Sequence, residues 1–293
     1  MTEPLALDKR RLRQSFTRAA DTYDAAAVLQ REIADRLLER LDLVRMQPQL
    51  ILDIGCGTGY DLERLARRYP KSWVLGLDIA ELMAHRARRR SGLWRRWLGS
   101  STFVCGDAEH LPVTTASADM VVSNLSLQWC DPPRVFDEAR RVLRPGGLLM
   151  FTTFGPDTLR ELREAWRAAD QETHVHSFID MHHLGDMLMH AGFADPVMDM
   201  ESFTLTYKDV LAVLRDIKHL GAHNAATSRA RGLTGKERFA RFRAAYEALA
   251  RDGKIPATYE AVYGHAWVPE TGSTRARDGI AAVPLGRIGR RAS

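Results

Sequence analysis

A glycine-rich segment between an apolar run and a helical pattern constrains the fold of this chain more than any other feature. The segment reads Asp53-Ile54-Gly55-Cys56-Gly57-Thr58-Gly59; it overlaps the apolar run 50–54 and precedes a pattern with Leu62, Leu65 and Ala66 on one helical face. Glycines let a backbone turn tightly and approach a ligand, and a helix start offers free N–H groups and a positive dipole end. The segment therefore predicts a strand, a ligand-binding loop and a helix in succession.

Apolar runs and helical patterns alternate over the first half of the chain. Further apolar runs come at 73–77, 102–105, 120–123 and 148–154. An Arg-Pro-Gly-Gly turn at 144–147 is expected to end a helix and to launch the fifth strand. Strands that alternate with helices predict βαβ units. The expected fold class is α/β, a Rossmann-like doubly wound, mostly parallel seven-stranded sheet with a helical lid insertion.

The segments around this core predict an arm, a lid and a tail. Leu29, Ile33, Leu37 and Leu41 recur every four residues after a basic, helix-prone arm. Downstream, we expect helices at 157–169, 180–191, 208–220 and 235–251, with strands at 197–207 and 258–268. The predicted units are an N-terminal helical arm over the cofactor site (1–45), a cofactor-binding core (46–154), lid helices with strand six (155–257), a closing strand (258–268) and a disordered tail (269–293).

Acidic residues follow the second and third predicted strands. Asp78 stands 19 residues beyond Gly59, where a carboxylate can accept both hydroxyls of a ribose, and Asp107 follows the third strand. Either residue alone could be a strand-end cap, but together with the glycine loop they favour a nucleoside-containing ligand. Because the loop glycines alternate and Asp53 precedes them, the pattern departs from the dinucleotide fingerprint. It resembles motif I of class I S-adenosylmethionine-dependent methyltransferases.

This resemblance implies S-adenosyl-L-methionine as cofactor and S-adenosyl-L-homocysteine as product. It implies that Asp53 and the loop surround the methionine part, that Asp78 holds the ribose, and that Asp107 meets the adenine amino group. Asn124 would face the amino acid end of the cofactor. The predicted cofactor residues are Asp53, Gly55, Cys56, Gly57, Gly59, Asp78, Ile79, Asp107, Ala108, Asn124 and Leu125.

Net charge and amino-acid composition exclude few classes of binding partner. A formal charge of +5 and a pI near 9.3 are consistent with an acidic partner, whether nucleic acid, anionic lipid or protein. No apolar run reaches bilayer length and the start lacks a secretory signal, so we expect a cytoplasmic protein. No disulfide framework and no metal site are expected, because metal-ligand spacing is absent among Cys56, Cys105, Cys130, His174, His176, His182 and His183.

Several segments outside the loop carry a narrower resemblance. They read SFTRAADTYD at 15–24, LQW at 127–129, TTFGPDTL at 152–159, FIDMH at 178–182 and TYEAVYGHAW at 258–267. In this order they resemble the malonyl-acyl-carrier-protein O-methyltransferases of biotin synthesis, the BioC family. The resemblance implies that the chain esterifies the free carboxylate of a malonyl group held through phosphopantetheine on an acyl-carrier protein. No general base is required, since a carboxylate is ionised at pH 7 and is already a nucleophile.

The acceptor side is less defined by the sequence. Tyr23 is expected over the acceptor pocket, although Phe16 and Tyr23 could instead anchor one helical face to the core. Gln128 and Trp129 could line the acceptor side, and Arg160 and Arg163 are the candidates for the arginine that meets the malonyl carboxylate.

Two basic clusters could dock the acidic carrier protein. A lid cluster (Arg160, Arg163, Arg167, Lys208, Arg215, Lys218) is favoured over a cluster after the second strand (Arg86, Arg88, Arg89, Arg90, Arg95, Arg96). We expect a monomer, with neither nucleic acid nor membrane as partner.

Other functions stay open at this point. A quinone precursor or a small carboxylic acid could be the acceptor, although attack by a ring carbon needs a base and no candidate base stands out. A nucleic-acid modifier is disfavoured, because Ser123-Asn124-Leu125-Ser126 follows the fourth strand in place of an Asn-Pro-Pro-aromatic motif or a Pro-Cys nucleophile. A protein that keeps the cofactor pocket for an assembly or hydroxylation role, without methyl transfer, is the hypothesis of a different class.

Overall fold

The computed structural model describes residues 7–98, 101–175, 177–222 and 234–270. The strands are β1 Leu50–Ile54, β2 Trp73–Asp78, β3 Ser101–Cys105, β4 Ala118–Ser123, β5 Leu143–Phe154, β6 Ala194–Tyr207 and β7 Ile255–Trp267. The helices are α1 Lys9–Ala19, α2 Tyr23–Ala26, α3 Val28–Glu39, α4 Tyr60–Arg68, α5 Glu81–Leu98, α6 Pro132–Val142, α7 Arg160–Arg167, α8 Met181–His190, α9 Val210–His219 and α10 Lys236–Glu247. His176 and most of the predicted tail, from 271 onward, lie outside the described residues.

The seven strands form one sheet in the order β3-β2-β1-β4-β5-β7-β6, which confirms the predicted fold class. Strands β1 to β5 are parallel, whereas β7 runs antiparallel to both β5 and β6. Strand order reverses on either side of β1, so the carboxyl ends of β1 and β4 open a crevice between them. Open α/β sheets bind ligands at such a crevice.

Helices cover both faces of the sheet. Ile33 and Leu37 of α3, together with Val213 of α9 and Phe242 of α10, are buried on one face. The other face is covered by α6 and by α8, whose Leu184 and Leu188 are buried against the sheet. The lid predicted for 155–257 therefore does not include α8: its apolar residues fit the sheet layer beside α6. Helices α7, α9 and α10 are the rest of the predicted lid, which stays a prediction; the word lid below denotes these three helices.

The starts of β5 and α7 differ from the predicted positions, because backbone hydrogen bonds and a left-handed residue that the sequence pattern does not reveal determine them. The Arg-Pro-Gly-Gly segment lies inside β5 rather than before it, because Leu143 already pairs with β4 and the Gly146 amide donates to the carbonyl of Val268 at 2.9 Å. Helix α7 begins at Arg160 rather than at 157. Leu159 has a left-handed φ of 57°, and its amide donates to the carbonyl of Thr258. Among the described helices, none is long and apolar enough to cross a membrane.

Candidate active site

Backbone hydrogen bonds to β2 hold the glycine loop after β1. The amide of Gly55 donates to the carbonyl of Leu77 at 2.7 Å, and the amide of Gly57 donates to Asp78 Oδ2 at 3.0 Å. All three loop glycines have positive φ, and a Cβ added at Gly55 would lie 2.4 Å from Cβ of Ser126. Only glycine satisfies both the dihedral angle and the close approach.

A cavity opens above this loop at the carboxyl ends of the parallel strands. Its floor contains eight of the predicted cofactor residues: Gly55, Gly57, Asp78, Ile79, Asp107, Ala108, Asn124 and Leu125. The opposite wall comes mainly from the arm and from a 3₁₀ turn after β4, with Lys9, Leu12, Phe16, Tyr23 and Trp129. A mostly apolar cavity with a few polar groups, Asp78, Asp107 and Asn124, and an aromatic wall suits a ligand that combines polar groups with a flat ring.

Three predicted cofactor residues do not line this cavity. Cys56 is buried, and a Cβ added at Gly76 would lie 3.1 Å from its sulfur. Gly59 faces Ala87 of α5, whose Cβ would lie 2.9 Å from a Cβ at that glycine. These two residues shape the loop from behind, and Asp53 lies beneath it.

Asp53 and Asp61 form a pair of buried carboxylates under the loop. Asp53 is fully buried, and both of its oxygens, like Oδ1 of Asp61, have no hydrogen-bond partner among the described residues. Burial, reinforced by the charges of Asp61 and Asp78, raises the pKa of Asp53 well above its usual value. Burial raises the pKa of Asp61 to about 7. Unpartnered buried carboxylates are costly, so this position fits a ligand cation such as an α-ammonium group.

Asp78 ties the loop to the turn that follows β2. Its Oδ2 accepts the Gly57 amide, and its Oδ1 accepts the Ala80 amide at 2.8 Å. Burial raises the pKa of Asp78 to about 6, while these two hydrogen bonds oppose the increase. A carboxylate fixed in this way can still accept hydroxyl donors on its remaining lone pairs.

Lys9 was not predicted as a site residue, yet it contacts two acids at the end of β3. Its Nζ lies 2.7 and 2.6 Å from the two oxygens of Asp107 and 2.7 Å from Glu109 Oε2. Burial favours the protonated acid, but the bonds from Lys9 and from the Glu109 amide hold the pKa of Asp107 below its usual value. Asp107 therefore already has a cationic partner, and an adenine amino group would share its oxygens with Lys9.

Tyr23 lines the cavity above the loop and not the second cavity, and it also packs against the core. It packs near Ala80 and Met83 in an apolar cluster, as an anchoring residue would. It also lines the cavity, and a Cβ at Gly57 would lie 3.9 Å from its ring atom Cε1. Burial, with help from the nearby charge of Asp78, raises the pKa of its hydroxyl. Tyr23 is therefore a neutral aromatic wall facing the loop.

A second cavity, of about 250 Å³, adjoins the first and shares Trp129 with it. It lies under the lid and is mostly aromatic and aliphatic; Phe154 and Phe178 meet edge to face there at 5.9 Å between ring centroids. Gln128 lines neither cavity. Its amide nitrogen donates to the carbonyl of Leu125, and its oxygen accepts from Thr153, so it braces the loop after β4.

The predicted lid arginines also lie away from both cavities. Arg160 and Arg163 line a surface groove that contains the acids Asp157, Glu161 and Glu164. Arg160 lies 3.5 Å from Asp157 and 3.4 Å from Glu161, and Arg163 donates to the carbonyl of Pro156. Arg160 and Arg163 therefore do not lie at the second cavity, because they face the surface groove on the other side of α7.

A different basic groove lies between α1 and the end of α9. Its basic side chains are Arg11, Arg18, Lys218 and His219, and no described acid lines it. Lys218 lines both this groove and the second cavity. In contrast, the cluster after β2 is partly neutralised, since Arg86 pairs with Asp21 and Arg90 pairs with Asp24 and Glu63.

Comparisons with known proteins agree with this geometry. Residues 52–151 match a family model described as a methyltransferase domain. A malonyl-[acyl-carrier protein] O-methyltransferase of Gallionella capsiferriformans is 52% identical over 280 residues, covering 94% of this chain and 96% of that protein. The protein of the same name from Legionella pneumophila is 39% identical over 278 residues, covering 94% of this chain and 96% of its own.

Solved structures with the same architecture have diverged further in sequence. The YcgJ protein of Bacillus subtilis is 16% identical, with a TM-score of 0.57 over 80% of this chain and 98% of its own, which shows the fold alone. The [4+2]-cyclase SpnF is 25% identical, with a TM-score of 0.51 over 82% of both chains. A cyclase on this fold means that the fold does not decide the reaction by itself.

Proposed function

The chain belongs to the family of malonyl-[acyl-carrier protein] O-methyltransferases, and we propose that it esterifies the free carboxylate of a malonyl group carried by acyl-carrier protein, an early step of biotin synthesis. It is a methyltransferase that uses S-adenosyl-L-methionine. The observation that carries the proposal is the pair of adjoining cavities: one above the glycine loop, whose lining includes Asp78, Asp107 and Asn124, and one beside α7 and α9, with Trp129 between them.

The cavity above the loop fits S-adenosylmethionine. From beneath the loop, Asp53 and Asp61 would stabilise its ammonium group, since both oxygens of Asp53 and Oδ1 of Asp61 have no hydrogen-bond partner among the described residues. Asp78 would accept the ribose hydroxyls, and Tyr23 would cover the methionine part above Gly57. Bound S-adenosylmethionine supplies an electrophilic methyl group on a sulfonium and leaves as S-adenosylhomocysteine once a carboxylate oxygen has taken that methyl.

The protein's own contribution is alignment and exclusion of water. Trp129 and Phe16, which meet edge to face at 5.7 Å, together with Phe154 and Phe178, make an apolar passage between the cavities. Holding two reactants in line inside a dry site can lower a barrier by roughly 7–11 kcal/mol. No proton has to leave a carboxylate nucleophile, so the reaction requires no side chain to act as a base.

The test of this function is isotope transfer from labelled S-adenosylmethionine to three acceptors: malonyl carrier protein, a short malonyl thioester and a quinone precursor. We expect base-labile label in both malonyl acceptors and none in the quinone precursor. In the same assay, single-turnover rates at saturating cofactor and saturating acceptor should stay nearly flat between about pH 6 and 8.5, far above the reference pKa of a carboxyl group. A rise of slope one with pH, or label only in the quinone, would contradict carboxylate methylation.

We further propose that the basic groove between α1 and α9 docks the carrier and its phosphopantetheine phosphate. This replaces most of the docking face expected on the lid, where Arg160 lies near Asp157 and Glu161 and Arg163 donates to backbone carbonyls. Lys218 belongs to both surfaces. Arg11 and Arg18 are exposed, the groove contains no described acid, and Lys218 connects it to the second cavity. Such a position suits an arm that enters the cavity while an acidic protein stays outside.

Charge reversal should separate docking from chemistry. With Arg11→Glu and Arg18→Glu combined, we expect kcat/KM for malonyl carrier protein to fall about 10-fold or more, because steering charges act on association rate. The short malonyl thioester should react as before. Added salt should reproduce the loss for the carrier only, since screening at 0.15 M sets in beyond about 8 Å.

The matched control is Arg160→Glu combined with Arg167→Glu on the outer face of α7. These changes should leave both acceptors unaffected. A loss confined to this pair would assign docking to the lid instead. The monomeric state, the cytoplasmic location and the absence of nucleic acid and membrane partners stay predictions.

A further inference from the structure

The second cavity has little to offer a charged acceptor. Most of its lining is apolar, and of the described residues that line it only His174 and Lys218 can carry a positive charge. Lys218 is exposed and also lines the basic groove, whereas His174 is mostly buried, with 16% of its side chain accessible. A carboxylate that enters an apolar cavity is strongly disfavoured unless a partner meets it there.

His174 is held in one orientation by a carboxylate and by an aromatic stack. Its Nε2 lies 2.8 Å from Asp170 Oδ1 and 3.1 Å from Oδ2. The imidazole stacks on Trp166 at 3.7 Å between ring centroids with an interplanar angle of 9°, and Trp166 in turn stacks on Phe242. With Nε2 occupied, Nδ1 is the polar ring atom that His174 can offer to a ligand.

The surroundings of Asp170 favour a charged pair. Asp170 accepts the Glu172 amide at 2.8 Å and lies 3.4 Å from Arg238. Burial alone would raise its pKa, but these contacts and the bond to His174 hold the pKa of Asp170 below its usual value. An ionised Asp170 accepts a hydrogen bond from Nε2–H of His174, and a doubly protonated ring donates from both of its nitrogens.

We infer that His174, positioned by Asp170, binds the malonyl carboxylate in the second cavity; this rests on the proposed function. Nε2–H donates to Asp170 and Nδ1–H donates to one carboxylate oxygen, which leaves the other oxygen to take the methyl group. The methyl ester carries no charge and loses this partner. The same pair therefore binds substrate more tightly than product, which favours product release.

The experiment compares His174→Phe with the wild type on the short malonyl thioester. Phenylalanine keeps a ring to stack on Trp166 but has no donor. We expect KM to rise about 10- to 100-fold, the usual effect of losing a charge-assisted hydrogen bond, while kcat at saturation changes less than threefold. Inhibition by the methyl ester product should be unchanged. Asp170→Asn, which keeps the shape, should raise KM in the same direction.

The chain offers a matched control in a second Asp–His pair. His182 Nδ1 lies 2.8 Å from Asp180 Oδ1, but this pair is exposed at the start of α8 and lines neither cavity. His182→Phe should leave KM unchanged. A wild-type KM in both His174→Phe and Asp170→Asn would overturn the inference, as would an equal weakening of product binding. A wild-type protein that fails to methylate malonyl acceptors would instead overturn the proposed function.

Discussion

Replacement of Gly57 by valine is expected to lower the affinity for S-adenosylmethionine by more than about 100-fold while the chain stays folded. Gly57 has a φ of 51°, and among the residues that the structure describes a Cβ there would come within 4 Å of Tyr23 alone, at 3.9 Å. The added side chain would thus project into the space between the loop and the Tyr23 ring. Left-handed backbone costs a non-glycine residue roughly 1–2 kcal/mol, which a chain of this size can tolerate. Calorimetric titration with the cofactor measures the loss.

A control variant at a second glycine distinguishes the effect of backbone strain from that of blocking the cavity. Gly253 has a φ of 70° in the turn before β7, and no atom of the described residues lies within 4 Å of a Cβ added there. Gly253→Val should therefore lower the melting temperature about as much as Gly57→Val, yet bind the cofactor normally. Full binding by Gly57→Val would show that the cofactor lies elsewhere.

Local sequence signals predicted the architecture and brought together eight residues that line the cavity above the glycine loop. The loop 53–59 requires glycine because of its own dihedral angles, and Asp78 directly ends a strand whose neighbours are visible from the apolar runs. Leu29, Ile33, Leu37 and Leu41 are buried as their spacing indicates. In these cases the interactions that determine the structure involve residues close together in the sequence, so the local sequence pattern reveals them.

The parts that sequence missed depend on contacts between distant segments. Lys9 meets Asp107 across 98 residues, and no local pattern joins them. The position of α8 was mispredicted for a similar reason. The sequence of an amphipathic helix shows which of its faces is buried, but not whether that face packs on the sheet or belongs to a lid. His174 is different, because Asp170 stands only four residues before it in the same short segment after α7, close enough along the chain to be considered as its partner.

Replacing Asp53 by asparagine should weaken cofactor binding and at the same time stabilise the free protein. The carboxylate is fully buried without a partner among the described residues, so at neutral pH its ionised form opposes folding. An uncharged amide removes that cost, and we expect a gain of at least about 1 kcal/mol, roughly 2–4 °C in melting temperature. Affinity for S-adenosylmethionine should fall about 10- to 100-fold, because the charged partner of its ammonium is lost.

The buried carboxyl groups should make the cofactor-free protein less stable as the pH rises. The folded-state pKa of Asp53 and those of Asp61, about 7, and Asp78, about 6, lie above the unfolded value near 4. Their contribution to stability is present in full below that unfolded value and is lost as the pH rises through the folded pKa values. The cofactor-free protein should thus melt at a lower temperature at pH 8 than at pH 5.5, and Asp53→Asn should reduce this difference.

Asp119→Asn is the matched control, since Asp119 is largely buried but fully partnered. Its Oδ2 accepts the amides of Gln49 and Leu50 at 2.7 and 2.9 Å, and its Oδ1 lies 3.0 Å from Arg144. The same change there should lower the melting temperature, because it breaks charge-assisted bonds instead of relieving an unpartnered charge. If Asp53→Asn also destabilises the free protein at pH 8, Asp53 has a partner in solution. If it leaves cofactor affinity intact, the ammonium is bound elsewhere.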